Sequence, residues 1–374
     1  MDLSGNSFKD YALELGRSEE FIEQLEVYTA ILNTKGLPVI FSPTHLALSM
    51  GKEYEELAET IENREAFYKL FKFKKKHSKG YRNILAPGGE LKRIQYWIKE
   101  NILDKIVFPE YVTAYQSKKS IYNNALPHVN KELIIKFDLK NYFDTIDQAR
   151  VYGLFQILGY NKSVSVDLAK LCCVSQETLA NGTINEIVKS INNSDSISIL
   201  PQGAPSSPAI SNLAATLLDY RLLKYASKHN YAYTRYADDL TFSGSKEQKL
   251  KKNVIKRIIT DSGFLLNERK GSYVYKANRQ LVTGLTVNTK VSVPKKKRRM
   301  INTHIHDCIR FGPYNHLKKC KMDSKSNYRE WLLGNILYIY SINPKAAKKM
   351  KANFDKIDWL FDAEANSEQL TKEN

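Results

Sequence analysis

The sequence predicts an α+β fold, and three observations carry that prediction. The run YAYTRYADDLTFSG (231–244) reads as a β-hairpin: turn residues sit between aromatic and aliphatic strand formers. ELIIKFD (132–138) reads as a buried strand. Around both lie amphipathic helical stretches in no regular βαβ alternation, which separates α+β from a doubly wound sheet.

Taken in order, residues 1–70 read as helical, with Phe21, Leu25, Tyr28 and Leu32 at three- to four-residue spacing and a second amphipathic stretch from Thr44 to Ile61. Residues 71–86 form a hairpin with Ser-Lys-Gly near its turn, and Pro87-Gly88-Gly89 is a break. Leu91 to Ile106 is a helix, 132–138 the strand and 148–172 a helix. A polar stretch at 181–199 looks inserted. Ser211 to Tyr225 is a helix, followed by the hairpin at 231–243, a helix near 246–261 and strands near 272–276 and 280–287. The remainder reads as a basic loop and helices, ending in a frayed tail, AEANSEQLTKEN.

The chain has 374 residues and a net charge of +17, which points to a polyanion partner. The charge is uneven. Residues 1–63 carry 4 basic and 12 acidic side chains, residues 64–82 carry 8 and 1, and residues 289–351 carry 16 and 3. Two basic blocks therefore flank the hairpin in sequence, as the walls of a phosphate-tracking channel would. The alternative is a solvated face. No apolar run reaches 18 residues and the N-terminus lacks a signal-peptide core, so a soluble cytoplasmic protein is expected. Cys172, Cys173, Cys308 and Cys320 form no CxxC pair. His304, His306 and His316 lie near the last two, so a metal site is conceivable. The spacing matches no common zinc pattern, and plain thiols are expected.

The chemistry concentrates on carboxylates. Asp238 and Asp239 sit at the hairpin tip, where an Asp pair is also ordinary turn chemistry. Asp138, at the end of the 132–138 strand, is the third carboxylate that changes the reading. Strand-end and hairpin-tip carboxylates converge in a sheet. Three of them would hold two divalent ions beside a phosphate, to activate a hydroxyl and stabilise pentacovalent phosphorus. Mg2+ is the expected ion, with Mn2+ as a substitute.

In this order, FDLKNYFDTI (137–146), LPQGAPSSPAISN (200–212) and YADD (236–239) resemble motifs A, B and C of reverse transcriptases. The resemblance runs from about residue 68 to 290 and implies a right-hand polymerase. Its N-terminal helical region would be 1–63, its fingers 64–135, its palm 136–288 with some fingers segments interleaved, and its basic helical thumb and tail 289–374. It implies that Asp138, Asp238 and Asp239 are catalytic metal ligands, joined by the Leu139 backbone carbonyl. Phe143 is matched to the residue under the incoming sugar, where a ring would clash with a ribose 2′-hydroxyl; Tyr142 beside it could take that place or the core. Gln202 and Gly203 match the nucleotide-pocket wall, where Gly permits close backbone approach. Lys75 and Arg82 match the cations of the fingers hairpin that grips triphosphate, with Lys74 and Lys76 as neighbours of uncertain register. Ala237 within the YADD box favours reverse transcription over RNA replication, and Gly263-Phe264 and Asn267 to Lys270, followed by RQLVTGLTVN (279–288), resemble motifs D and E.

Two further boxes narrow the resemblance to retron reverse transcriptases: Asn124, Ala125 and His128 in YNNALPHVN, and Val282-Thr283-Gly284. Asn124, His128, Val282, Thr283 and Gly284, with Lys295, Lys296, Lys297, Arg298 and Arg299 of VPKKKRRM, are the implied RNA or template contacts; His128 alone also reads as a satisfied loop histidine. The resemblance implies a cognate structured non-coding RNA and priming from a guanosine 2′-hydroxyl. The product would be branched RNA-linked DNA (msDNA), and the system would act in anti-phage defence with a separate effector protein. Another bacterial reverse transcriptase (diversity-generating, abortive-infection or group II intron type), or a non-catalytic RNA-binding scaffold, is the alternative.

Overall fold

The computed structural model describes residues 13, 16–74, 81–175, 198–322 and 324–359. Lys75, Lys76, the Ser-Lys-Gly turn, most of the inserted stretch and the C-terminal tail lie outside the described residues.

The fold is built on strand β3 (Leu133–Lys140), which is buried along most of its length. It pairs antiparallel with β7 (Asp239–Gly244) on one side and with β8 (Leu265–Leu266) and β9 (Ser272–Tyr275) on the other. β6 (Ala232–Tyr236) pairs with β7 through the expected hairpin, completing a five-stranded sheet. Side chains alternate across a strand, and that period decides the architecture. Leu133, Ile135, Phe137 and Leu139 join the main core with Leu240 and Phe242 of β7. Ile134 points the other way, into a second core made with the C-terminal helices. Asp138 shares the parity of Ile134, so it lies on the face that is not packed into the main core.

The main core is closed by α1 (Glu19–Thr34), α2 (Pro43–Ser49), α3 (Tyr54–Glu62), α4 (Gly89–Asn101), α6 (Gln148–Leu158), α7 (Lys162–Cys172), α8 (Ser207–Ala214), α9 (Thr216–Lys228) and α10 (Lys252–Asp261), all of which contribute to it except the mostly exposed first turns of α1. The short α5 (Ile121–Ala125) precedes β3. A separate hairpin, β1 (Tyr68–Lys74) with β2 (Tyr81–Pro87), projects from the body with exposed outer residues. The two-residue β4 (Val174–Ser175) and β5 (Ser198–Ile199) pair with each other. β10 (Leu281–Val282) and β11 (Leu285–Thr286) form a tight hairpin leading to α11 (Lys295–Phe311), α12 (Pro313–Lys319), α13 (Tyr328–Ile342) and α14 (Pro344–Phe354). No helix among the described residues is long and apolar enough to cross a membrane.

Several predicted helices are divided. The 44–61 stretch is α2 and α3, because Gly51 takes a left-handed φ of 71° after Met50 caps α2. The 148–172 stretch is α6 and α7: Gly159, at φ 117°, ends the first, and the Asn161 side chain caps the second. The 211–225 helix begins earlier and breaks at Ala215 into α8 and α9. The 91–106 helix ends at Asn101 and gives way to a 3-10 turn, Leu103–Lys105. The basic segment expected as a loop is instead the N-terminal part of α11.

Candidate active site

Asp138 and Asp239 are cross-strand partners on β3 and β7. Residues paired in this way share a face, so the register alone sets the two carboxylates side by side. Asp238 occupies the turn between β6 and β7, and its carbonyl accepts from Leu139 N–H at 2.9 Å. That bond ties the turn to the strand carrying Asp138. Ala237 before it has a left-handed φ of 56°, which turns the chain sharply enough to bring Asp238 to the same edge.

Electrostatics record the crowding. Removal from water and then repulsion by Asp138 raise the Asp238 carboxyl above its ordinary value. The Asp239 carboxyl is pushed up to about 6 by desolvation, then by Asp238 and Asp138. The Asp239 side chain nonetheless keeps open surface, so this shift reflects its charged neighbours more than its depth. Asp138 is 7% exposed, and its two oxygens take different partners. Oδ1 accepts from Lys270 Nζ at 2.6 Å and Oδ2 from Asn267 Nδ2 at 2.9 Å. The ammonium of Lys270, itself largely exposed, is thus the one cation in salt-bridge contact with the cluster among the described residues.

Three hard oxygen donors that repel one another fit a divalent cation of the Mg2+ class. Among the described residues, however, the group whose donor atoms all lie within 4.8 Å of one another is elsewhere, on His304, His316 and Cys320. An ion bound at Asp138 competes with Lys270 for the same oxygen.

Of the expected nucleotide-facing residues, Arg82 is near enough to Asp238 to act on its charge. Phe143 is half-buried beside Tyr115, with ring centroids 6.5 Å apart. Tyr142 takes the core position instead: it is 4% exposed, and its hydroxyl donates to the Ser211 carbonyl at 2.7 Å. The 202–203 loop docks on the projecting hairpin, where Leu85 N–H donates to the Gln202 carbonyl at 2.8 Å. Gly203 has φ 127°, and a Cβ there would lie 2.8 Å from the Leu85 carbonyl oxygen. Glycine is required on both counts. Arg82 on β2 is exposed, and its charge reaches Asp238 and Tyr115, lowering the pKa of each against the larger upward effect of burial.

Sequence reasoning missed Arg235. It is fully buried beneath the turn and paired with Asp219 of α9 through Nε–Oδ1 at 2.8 Å and Nη2–Oδ2 at 2.7 Å. Its Nη1 donates to Asn212 Oδ1, Tyr142 Oη and the Ala237 carbonyl. One guanidinium therefore links α8, α9, the motif after β3 and the turn carrying Asp238. The signal was present: alternation along AYTRY places Arg235 on the core face with Tyr233, where a cation requires a buried partner. Tyr115 was also missed. It has a left-handed φ of 59°, and its hydroxyl pKa is pushed up to about 12 by burial and then by Asp238.

The boxes at 124–128 and 282–284 meet. Asn124 Nδ2 lies 3.5 Å from Thr283 Oγ1, which donates to the Ile121 carbonyl at 3.2 Å. Direct nucleic-acid contact by Asn124, His128 and Val282 is contradicted, since all three are 0% exposed. The His128 ring lies between Ser243 Oγ (2.7 Å) and Thr234 Oγ1 (2.8 Å) on the outer face of the sheet, and burial lowers its pKa to about 3. These side chains brace the junction between the sheet and the C-terminal unit; of the implied contact residues in the two boxes, Gly284 is exposed and Thr283 half-buried. In α11, Lys295, Lys296 and Arg299 are exposed. Lys297 instead covers the Tyr338 ring at 4.0 Å, and Arg298 Nε donates to the Val293 carbonyl at 3.1 Å.

Comparison with known proteins bears on this geometry. The family model for reverse transcriptase (RNA-dependent DNA polymerase) matches residues 73–308. The chain is 30% identical over 331 residues to the retron Ec86 reverse transcriptase of Escherichia coli, covering 87% of this chain and 92% of that protein. It is 30% identical over 277 residues to the retron Mx65 reverse transcriptase of Myxococcus xanthus, covering 74% and 61%. It is 28% identical over 322 residues to the retron Ec83 reverse transcriptase of E. coli, covering 82% and 93%.

Proposed function

This chain belongs to the retron reverse transcriptases, which are RNA-directed DNA polymerases, and we propose that its chemistry is carried by Asp138, Asp238 and Asp239. The observation that carries this reading is the register pairing of Asp138 with Asp239, with Asp238 held at the adjacent turn. Divalent metal, two Mg2+ ions in this reading and Mn2+ as a substitute, would make the attacking hydroxyl more acidic and offset the negative charge building on the α-phosphate. The chain's own residues position the rest. Phe143 and Tyr115 form the floor under the sugar, and the ring of Phe143 selects deoxyribose. The 202–203 loop walls the base side. Arg82, with Lys75 from outside the described residues, binds the triphosphate oxygens. The leaving group is pyrophosphate.

In this reading the β1–β2 hairpin and α4 belong to the fingers (64–135). The five-stranded sheet and its helices form the palm (136–288), α11–α14 form the thumb (289–374), and residues 1–63 brace the fingers. Lys295, Lys296 and Arg299 contact RNA phosphate. Lys295 and Lys296 stand at the start of a helix, where the macrodipole already disfavours cations. A phosphate there would relieve that penalty.

The relatives support extending the reading to retron biology. The chain binds a cognate structured RNA, starts DNA from a guanosine 2′-hydroxyl and yields branched RNA-linked DNA, with a separate effector in anti-phage defence. Sequencing nucleic acid co-purified with the full chain, before and after a 2′–5′ debranching enzyme, tests this. DNA released from RNA by debranching is expected. DNA that starts only from ordinary 3′ ends would remove the branched-priming proposal while leaving polymerisation intact.

A further inference from the structure

We propose that the C-terminal helical unit binds a zinc-class transition-metal ion on His304 Nδ1, His316 Nε2 and Cys320 Sγ, clamping α12 against α11. The proposal is independent of the polymerase assignment. The three donor atoms lie within 4.8 Å of one another. His304 Nδ1 is 2.8 Å from His316 Nε2, and Cys320 Sγ is 3.7 Å from that same nitrogen. Tetrahedral zinc, with Zn–N of about 2.0–2.1 Å and Zn–S of about 2.3 Å, separates its ligand atoms by about 3.3 Å (N to N) and about 3.6 Å (N to S). The Sγ–Nε2 distance matches, but Sγ is also 3.9 Å from His316 Nδ1 and so lies beside the ring. Binding therefore needs the His316 ring to turn until its Nε2 lone pair faces Sγ, and the two imidazole nitrogens to part by about half an ångström.

The surroundings are those of a ligand set. Asp307 Oδ2 lies 3.6 Å from His316 Nδ1, behind the ring. A carboxylate there selects the tautomer that leaves Nε2 as a lone-pair donor, the usual arrangement behind a metal-bound histidine. His316 and Tyr328 are 2% and 3% exposed, and Trp331 stacks on Tyr328 with its ring edge-on to His304. Tyr328 Oη stands 3.1 Å from His304 Nδ1, so a hydroxyl adjoins the site, and Cys308 Sγ lies 3.5 Å from that hydroxyl. Cys320 is exposed and provides an entry path.

Two imidazoles and a thiolate are soft to borderline ligands that select zinc over magnesium, which separates this site from the carboxylate cluster. Its ligands are dispersed in sequence: His304 comes from α11, while His316 and Cys320 lie one turn apart at the end of α12. That dispersal conceals the site from spacing rules. The clamp sits on the helix that bears Lys295, Lys296 and Arg299, so its occupancy would fix how those cations are presented.

The test uses the full, untagged chain purified without chelator. Elemental analysis is expected to find one zinc per chain. The chelator-stripped protein titrated with Co2+ should develop visible d–d bands and a near-ultraviolet thiolate-to-cobalt band, unaffected by excess Mg2+. Cys320→Ser, at an exposed position, should remove the thiolate band. Asp307→Asn should keep that band and weaken Co2+ binding by about 10- to 100-fold. Absence of a thiolate band in the wild type would overturn the proposal, as would an unchanged spectrum and affinity in Cys320→Ser. In that case the cluster is a hydrogen-bonded imidazole pair.

Discussion

Replacing Arg235 by Met removes one buried guanidinium and leaves Asp219, 1% exposed, without its counter-ion. Breaking a buried pair from one side costs about 3–5 kcal/mol, a large share of the roughly 5–15 kcal/mol that holds a domain folded. Tyr233 Oη donates to Asp219 Oδ1 at 2.7 Å in the wild type already, so that bond does not offset the loss. The expected cost therefore stays at about 3–5 kcal/mol. The double variant Arg235→Met/Asp219→Leu removes both charges and should recover most of that stability. It cannot restore the bonds from Nη1 to the Ala237 carbonyl and Tyr142 Oη. Stability and activity therefore separate. Urea midpoints should fall sharply in the single variant and recover in the double, while deoxynucleotide incorporation per folded molecule stays low in both. A single-variant cost under about 1 kcal/mol would refute the buried-pair reasoning. Full incorporation by the double variant would refute the role of Arg235 as the brace of the Asp238 turn.

Three further outcomes are expected. Because Asp239 is raised above the ordinary 3.8 to about 6, its contribution to stability is present below about pH 4 and is lost as pH rises through about 6, and Asp238, also raised, acts in the same direction. Mg2+ should therefore raise the melting temperature more at pH 7.5 than at pH 5; equal shifts would contradict the assignment of these carboxylates as its ligands. Gly203→Ala should lower both stability and deoxynucleotide affinity, since its Cβ meets the Leu85 carbonyl at 2.8 Å; wild-type steady-state kinetics would show that the loop is not held against β2. Replacing Lys295, Lys296 and Arg299 by Ala should reduce the salt slope of RNA binding by about 1 per lost phosphate contact, and an unchanged slope would remove α11 from the RNA path.

The sheet and its carboxylates were legible because period-2 alternation and turn chemistry are local properties. Asp138 at a strand end and Asp238–Asp239 at a hairpin tip needed only the pairing of β3 with β7 to meet. Helix boundaries were less legible: Gly51, Gly159 and Ala215 break runs whose apolar periodicity continues across them. His128 and Asn124 read as ligand-binding polar residues, yet their partners are Ser243, Thr234 and Thr113, brought in by tertiary packing. Arg235 was hidden for the same reason, since its counter-ion lies on a helix 16 residues earlier. The His304–His316–Cys320 cluster depends on how α12 folds back on α11, which spacing alone does not encode.

The central claim is tested most directly by DNA synthesis on an RNA template with Asp238→Asn/Asp239→Asn, alongside RNA retention by the same protein. Removing two of the three carboxylates should abolish synthesis at any Mg2+ concentration while RNA affinity stays at or above the wild-type value, because two negative charges are lost. Synthesis within about tenfold of wild type, a deficit of only about 1.4 kcal/mol in the barrier, would contradict the assignment of the chemistry to this cluster.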